Sequence, residues 1–268
     1  MNRIDSIFQA LAQQGGKALM PFITAGDGGV EMLGKVIPAL ERGGASICEV
    51  GIPFSDPIAD GPVIQASMTR ALDLGTTVEQ VFEQVAAIRD RTELGLVAMV
   101  SYSIVYRVGL DAFVKQSAQA GFDGFIFPDL PLEESQAARD AAANAGLILS
   151  MLIAPTTPID RAQAIAAAST GFAYVVSRRG ITGESSALPP ELPDRLAKLR
   201  EVTDAPMAVG FGISSADQVR GVVAVADAAI VGSAMVRRIH EHPRSAVEQA
   251  EAMTRELAAG LPNATGVA

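Results

Sequence analysis

Apolar positions along the chain fall into two kinds of run that alternate. Short, nearly continuous apolar stretches of strand length come first: "ALMPFITAG", "SICEVGIP", "LGLVAMVSY", "GFIFPD", "LILSMLIAP", "FAYVVSR", "PMAVGFG" and "AAIVGSA". Between them lie longer, Ala-rich stretches with apolar residues at helical spacing, such as "VEQVFEQVAAIRDR", "DAFVKQSAQAG", "EESQAARDAAANAG" and "ADQVRGVVAVAD". Many of these end on Gly, Lys or Arg, as helices do. Eight β-like runs, each followed by a helix, predict an α/β fold with a parallel sheet. The count, and a length of 268 residues, fit closure as a (β/α)8 TIM barrel. The opening "MNRIDSIFQALAQQGG" reads as an extra N-terminal helix stopped by Gly15 and Gly16. No linker, low-complexity tract or strong repeat divides residues 1–268, which are read as a single TIM-barrel domain. A doubly wound open sheet is the structural alternative.

Gly, Pro, Asp, Ser and Thr gather just after the apolar runs, where barrel enzymes carry their chemistry. Helix caps account for some of this, but not for the long loops after Pro53 and Arg178. In "SICEVGIP", strand alternation sets Ile47, Glu49 and Gly51 on one face and the wholly apolar Cys48, Val50 and Ile52 on the other. The second set belongs against the helices, so Cys48 reads as core packing. Glu49 then points into the barrel near the strand's C-terminal end, where desolvation raises its pKa and marks it as functional rather than structural. Asp56 before Pro57 reads as ordinary turn chemistry; Asp60 before Gly61 stands evenly between turn and function. "VGFGISS" and "IVGSAMV" each end a strand in Gly ahead of a helix start. As the loops after strands seven and eight they are candidates to hold a phosphate on Gly212, Gly232 and Ser233, with Gly183 as a third contributor.

Composition narrows the chemistry. A net charge of −9 and a pI near 4.8 argue against nucleic-acid binding. The lone cysteine forbids an internal disulfide, and no run is long and apolar enough for a signal peptide or membrane span. The protein is expected to be cytoplasmic. His240 and His242 sit in "RRIHEHPR", a solvated helix end rather than a metal site, so no metal is expected. Lys17, Lys35, Lys115 and Lys198 all precede strand one or fall in helices, away from the strand ends where a Schiff-base lysine has to be. What remains is proton transfer by carboxylates on a phosphate ester: isomerisation, epimerisation or C–C cleavage.

"EVGIPFSDPIADGP" is more specific than its parts, and resembles the signature of the tryptophan synthase α subunit family. "PFITAGD", "PDLPLEE", "APTTP", "YVVSRRGITG", "VGFGIS" and "VGSAMV" match that family in order along nearly the whole chain. The resemblance implies retro-aldol cleavage of indole-3-glycerol phosphate to indole and glyceraldehyde 3-phosphate. It makes Glu49 the catalytic acid–base and Asp60 the acceptor of the indole N–H. It places Tyr174 near the reacting glycerol chain, and Phe22 and Phe211 in the indole pocket, to which the strand residues 96–100 are also candidates. Phosphate falls on Gly183, Gly212, Gly232 and Ser233. "SRRGITG" resembles a lid whose Thr182 bonds Asp60 on closure. The resemblance further implies an α2β2 complex with a β subunit that carries pyridoxal phosphate, so no cofactor is expected in this chain. Pro53, Asp56 and Asp129 match positions near that interface. "SYSIVYRVG", where many relatives have a "YYNP"-like segment, and Met68 depart from the pattern near the pocket or the partner surface. A barrel of the indole-glycerol-phosphate synthase or ribulose-phosphate epimerase type is disfavoured by the missing Lys and metal ligands. A stand-alone lyase, or a non-catalytic activating subunit, is the alternative function.

Overall fold

The computed structural model describes residues 1–57, 60–177, 190–210 and 212–262. All eight apolar runs are strands: β1 Ala18–Thr24, β2 Ile47–Gly51, β3 Gly95–Met99, β4 Gly124–Ile126, β5 Ile148–Ser150, β6 Leu152–Ile153, β7 Ala173–Val176, β8 Met207–Gly210 and β9 Ala228–Val231. The ninth arises because "LILSMLIAP" is interrupted at Met151. There the amide N–H of Met151 turns to the Ser169 hydroxyl at 3.2 Å, and that of Leu149 to the Thr170 hydroxyl at 2.8 Å. Side chains substitute for ladder partners at that seam.

Every strand pairing is parallel, in the order β5-β4-β3-β2-β1-β9-β8-β7-β6. The two ends of that order are successive pieces of one segment, so the sheet closes on itself. The register gives the stagger. Phe22 leads through Glu49, Val97 and Gly124 to Ile148, whereas Ala18 leads through Ala228, Ala208 and Tyr174 to Leu152. Both end pairs are four residues apart in the chain, and one circuit displaces the register by eight residues. That is the shear of a (β/α)8 barrel and excludes the open sheet.

Alternation sorts the core as the sequence pattern predicts. Outward residues such as Leu19, Cys48, Val50, Leu96 and Ala98 pack against the helices, while Met20, Ile47, Val97, Ile126 and Ile230 fill the interior. The N-terminal helix Arg3–Gln13 closes the bottom with Ile4 and Phe8, which join the interior set. Asn2 caps it, accepting from Ile4 N–H at 2.8 Å and donating to the carbonyls of Asp123 and Gly146, each at 2.8 Å. At the other end, the loops after β2 and β3 carry helices of their own, Pro62–Asp73 and Tyr102–Val108. These wall the mouth and account for the length of the loop after Pro53.

Candidate active site

An open pocket of about 610 Å³ occupies the C-terminal mouth of the barrel. The layer at its floor comes from alternate segments, Glu49, Ile126, Tyr174 and Ile230, and of these Glu49, Tyr174 and Ile230 line the pocket. Phe22, Met99 and Leu152 rise in the layer above and line the walls. Asp60, Ile64, Pro128, Gly212, Gly232 and Ser233 complete the lining from the loops and helix starts.

Glu49 is wholly buried, and neither carboxylate oxygen has a hydrogen-bond partner among the described residues. Burial pushes its pKa up to about 8, so the group holds its proton at neutral pH. Asp60 lies nearer the surface and is pushed by the same cause only to about 6. At pH 7 the two carboxyls thus differ in charge, one acid and one carboxylate, the division of labour that acid–base catalysis needs. The pKa of the Tyr174 hydroxyl is raised by burial first, then by the carboxylates of Glu49 and Asp60, and all three residues line the same pocket. Room for that hydroxyl exists because Gly210 lacks a side chain: a Cβ there would stand 2.5 Å from it.

Asp60 is held by its surroundings rather than by its own side chain. Its N–H donates to the Pro57 carbonyl at 3.0 Å, and Gln65 Nε2 donates to the Asp60 and Pro57 carbonyls at 2.8 and 3.3 Å. The helix that carries Gln65 is tied to the β1 edge twice. Ser67 and Thr24 share a buried hydroxyl–hydroxyl bond of 2.6 Å, and Arg70 grips Asp27 with two bonds of 2.7 and 2.6 Å. Opposite, Gly232 caps the helix Ser233–Glu241, whose first N–H groups have no partner within the helix and whose start, Gly232 and Ser233, lines the pocket. Gly212 sits at φ +81°, a left-handed conformation suited to glycine.

Six of the sequence-predicted site residues therefore converge with Glu49 on one pocket or its rim: Phe22, Asp60, Tyr174, Gly212, Gly232 and Ser233. Thr182, Gly183 and Phe211, with the lid-like "SRRGITG" beyond Ser177, lie outside the described residues. Of the strand positions 96–100, only Met99 reaches the pocket; Leu96, Ala98 and Val100 face the helices, as alternation requires. Ile64, Pro128, Leu152 and Ile230 were not foreseen. The same two-residue step that placed Glu49 inward would have found Ile230, two before Gly232. Met68 is 4% exposed, packs with Phe22, Ile64 and Val236, and lines a second, neighbouring pocket. "SYSIVYRVG" forms the helix Tyr102–Val108. Asp129 is exposed and holds that helix's start, accepting from Ser101 Oγ at 2.6 Å and Tyr102 N–H at 2.7 Å. Asp56 and Asp129 line that second pocket, of about 660 Å³, which shares Asp60, Met99 and Pro128 with the first, whereas Pro53 is buried beside it. His240 and His242 are both exposed.

The fold and the pocket define a class: a (β/α)8 barrel with an unequal pair of carboxyls at its C-terminal mouth. Known proteins narrow it. A family model described as tryptophan synthase alpha chain matches residues 8–264. The tryptophan synthase alpha chain of Rhodopirellula baltica is 45% identical over 94% of this chain and 90% of its own length; that of a Picosynechococcus species is 45% identical over 89% and 91%. Among solved structures, tryptophan synthase subunit alpha from Legionella pneumophila superposes with a TM-score of 0.89 at 33% identity, covering 97% of this chain and 98% of that one. Tryptophan synthase from M. tuberculosis in its aminoacrylate-bound form gives 0.87 at 32%, covering 97% and 99%. The chain belongs to the tryptophan synthase alpha chain family, a family of lyases in tryptophan biosynthesis. Membership implies a β-subunit partner. No helix among the described residues is long and apolar enough to cross a membrane.

Proposed function

We propose that the pocket cleaves indole-3-glycerol phosphate with Glu49 and Asp60 in distinct roles. Glu49, protonated at neutral pH, gives its proton to the indole carbon that bears the glycerol chain. Positive charge then develops at the indole nitrogen, where the Asp60 carboxylate accepts the N–H bond. The Glu49 carboxylate next takes the proton of the adjacent glycerol hydroxyl. The carbon–carbon bond breaks, its electron pair returns to the ring, and the hydroxyl carbon becomes the aldehyde of glyceraldehyde 3-phosphate. Glu49 ends as it began, so the cycle needs no cofactor in this chain. Phe22, Met99 and Leu152 offer apolar surface to the indole, and Tyr174 stands by the glycerol chain. The N–H groups at Gly212, Gly232 and Ser233 suit the phosphate dianion in a chain of net charge −9, because a helix start binds anions by dipole rather than by net charge. Thr182, Gly183 and Phe211 are assigned to the lid, the phosphate and the indole wall on family resemblance.

The assembly we propose is an α2β2 heterotetramer in the cytoplasm, in which the β subunit holds the pyridoxal phosphate and receives the indole. The observation that carries the catalytic reading is Glu49 itself: a fully buried carboxyl on the floor of a pocket, with no hydrogen-bond partner among the described residues. A solvated surface role has no use for it, and a purely activating subunit needs no acid there.

Purified chain incubated with indole-3-glycerol phosphate tests this, with glyceraldehyde 3-phosphate quantified beside Glu49→Gln. Cleavage by the native chain and none by the variant is the expected result. Fast turnover by the chain alone marks a stand-alone lyase, and a trace that rises on adding β subunit marks the α2β2 enzyme. No cleavage even with β subunit rejects the assignment.

A further inference from the structure

Glu49 is the middle of three inward positions on β2, between Ile47 and Gly51. Along a strand, the next inward side chain toward the mouth shields the one below it, and Gly51 supplies none. The space is taken from the neighbouring strand instead. A Cβ on Gly51 would lie 2.4 Å from Cζ and 2.6 Å from Cε2 of Phe22. Gly51 is not among the glycines of positive φ, so close approach and not backbone conformation calls for glycine here. Phe22 is moreover the register partner of Glu49, and is 3% exposed. Its ring therefore crosses from β1 over β2 and stands on the mouth side of the carboxyl, with Ile47 beneath on the same face.

We propose that Phe22 is a positioning residue for the acid: admitted by Gly51, its ring covers Glu49 against water and sets the pH at which that group releases its proton. The proposal rests on reading Glu49 as the acid of the reaction. Burial is the cause of the upward shift at Glu49, in keeping with an apolar cover. The other titratable groups facing it are few. Asp60 comes from the loop after β2 and Tyr174 from β7, while Cys48 lies on the opposite face of β2. Among the described residues, β1, β3 and β9 bring no titratable group to the pocket, and no cationic side chain lines it. Removing the ring therefore changes Glu49's hydration without removing a charge.

The decisive experiment is an infrared titration of the free protein, following the C=O stretch of a protonated carboxyl assigned by its loss in Glu49→Gln. The native midpoint is expected near 8. Phe22→Ala is expected to lower it by about one unit or more, toward the ordinary carboxylate range. Gly51→Ala, which forces the ring aside, moves it the same way. Phe22→Leu keeps an apolar cover and holds the midpoint within about half a unit of native. Because no substrate is present, a chain that failed to cleave indole-3-glycerol phosphate still reports on the ring, and the two readings fail separately. A midpoint unmoved in Phe22→Ala or in Gly51→Ala, in protein with native circular dichroism, overturns the proposal. So does a Phe22→Leu midpoint that drops as far as that of Phe22→Ala.

Discussion

Glu49 and Asp227 are carboxyls in the wall of the same barrel, one at its C-terminal mouth and the other at its N-terminal base, and their surroundings differ in kind. Asp227 precedes β9 and accepts from Lys17 Nζ at 3.0 Å, from Met207 N–H at 2.9 Å and from Arg200. Burial alone would raise its pKa; those three donors outweigh burial and hold it below the ordinary value. Asp123 makes the same kind of clip half a turn away, preceding β4 and accepting from Leu96 N–H at 2.8 Å and Arg89 at 3.3 Å, although there burial outweighs the donors and leaves its pKa above the ordinary value. Each clips its strand to the one before it. Among the described residues Glu49 has burial without donors, and its pKa rises to about 8. Partnered carboxyls hold the base together, and an unpartnered one at the mouth keeps a proton to give. In barrels generally the base serves stability and the mouth chemistry; here the contrast comes down to what surrounds single carboxyls.

The sharpest break between the two ends is Glu49→Gln. Cleavage is expected to fall at least about 10³-fold, measured as kcat/KM for indole-3-glycerol phosphate. The same variant should unfold harder than the native chain in alkali. Glu49's pKa is about 8 folded against an ordinary 4.5, so between those values the unfolded chain releases a proton that the folded one retains. Native stability attributable to this group is complete below about pH 4.5 and drains away as pH rises through 8. Glutamine has no such loss, and urea unfolding at pH 5 and 9 should show its advantage growing by roughly 2–4 kcal/mol.

Asp227→Asn is the converse, expected to cost about 1–3 kcal/mol near neutral pH while leaving kcat/KM in place. Its depressed pKa reverses the sign: the stability it adds is present above the ordinary value of 3.8 and lost as pH falls through the folded pKa, so the native and variant chains should converge in acid. Within the mouth, kcat/KM should follow a bell with limbs near pH 6 and 8, and Asp60→Asn should erase the lower one. The smallest effect is Asn2→Ala, a lost cap worth about 1 kcal/mol in thermal unfolding with activity unchanged.

The barrel was legible because parallel strands buried on both faces read as unbroken apolar runs, and because period-two alternation within "SICEVGIP" is enough to turn Glu49 inward. The break at Met151 was not, since it depends on hydroxyls of Ser169 and Thr170, eighteen and twenty-one residues from the amides they meet. Asp60 illustrates the same limit at the site. Alone it was a turn aspartate as readily as a functional one; its placement comes from Gln65, Ser67 and Arg70, whose partners are set by how a helix lies against β1. Pocket walls such as Phe22 and Leu152 come from opposite sides of the barrel and share a layer only through its stagger, which no local pattern encodes.

The cap at Asn2 has a consequence in time. Its side chain donates to carbonyls at Asp123 and Gly146, 121 and 144 residues further along. On a ribosome adding about 5–20 residues each second, the helix Arg3–Gln13 waits roughly 6 to 30 seconds for the groups that fasten it. The base of the barrel is thus sealed by a helix made well before its fastenings, and a nascent protein stalled before Gly146 still lacks Ile148 and Phe172, which complete the cover over Ile4 and Phe8.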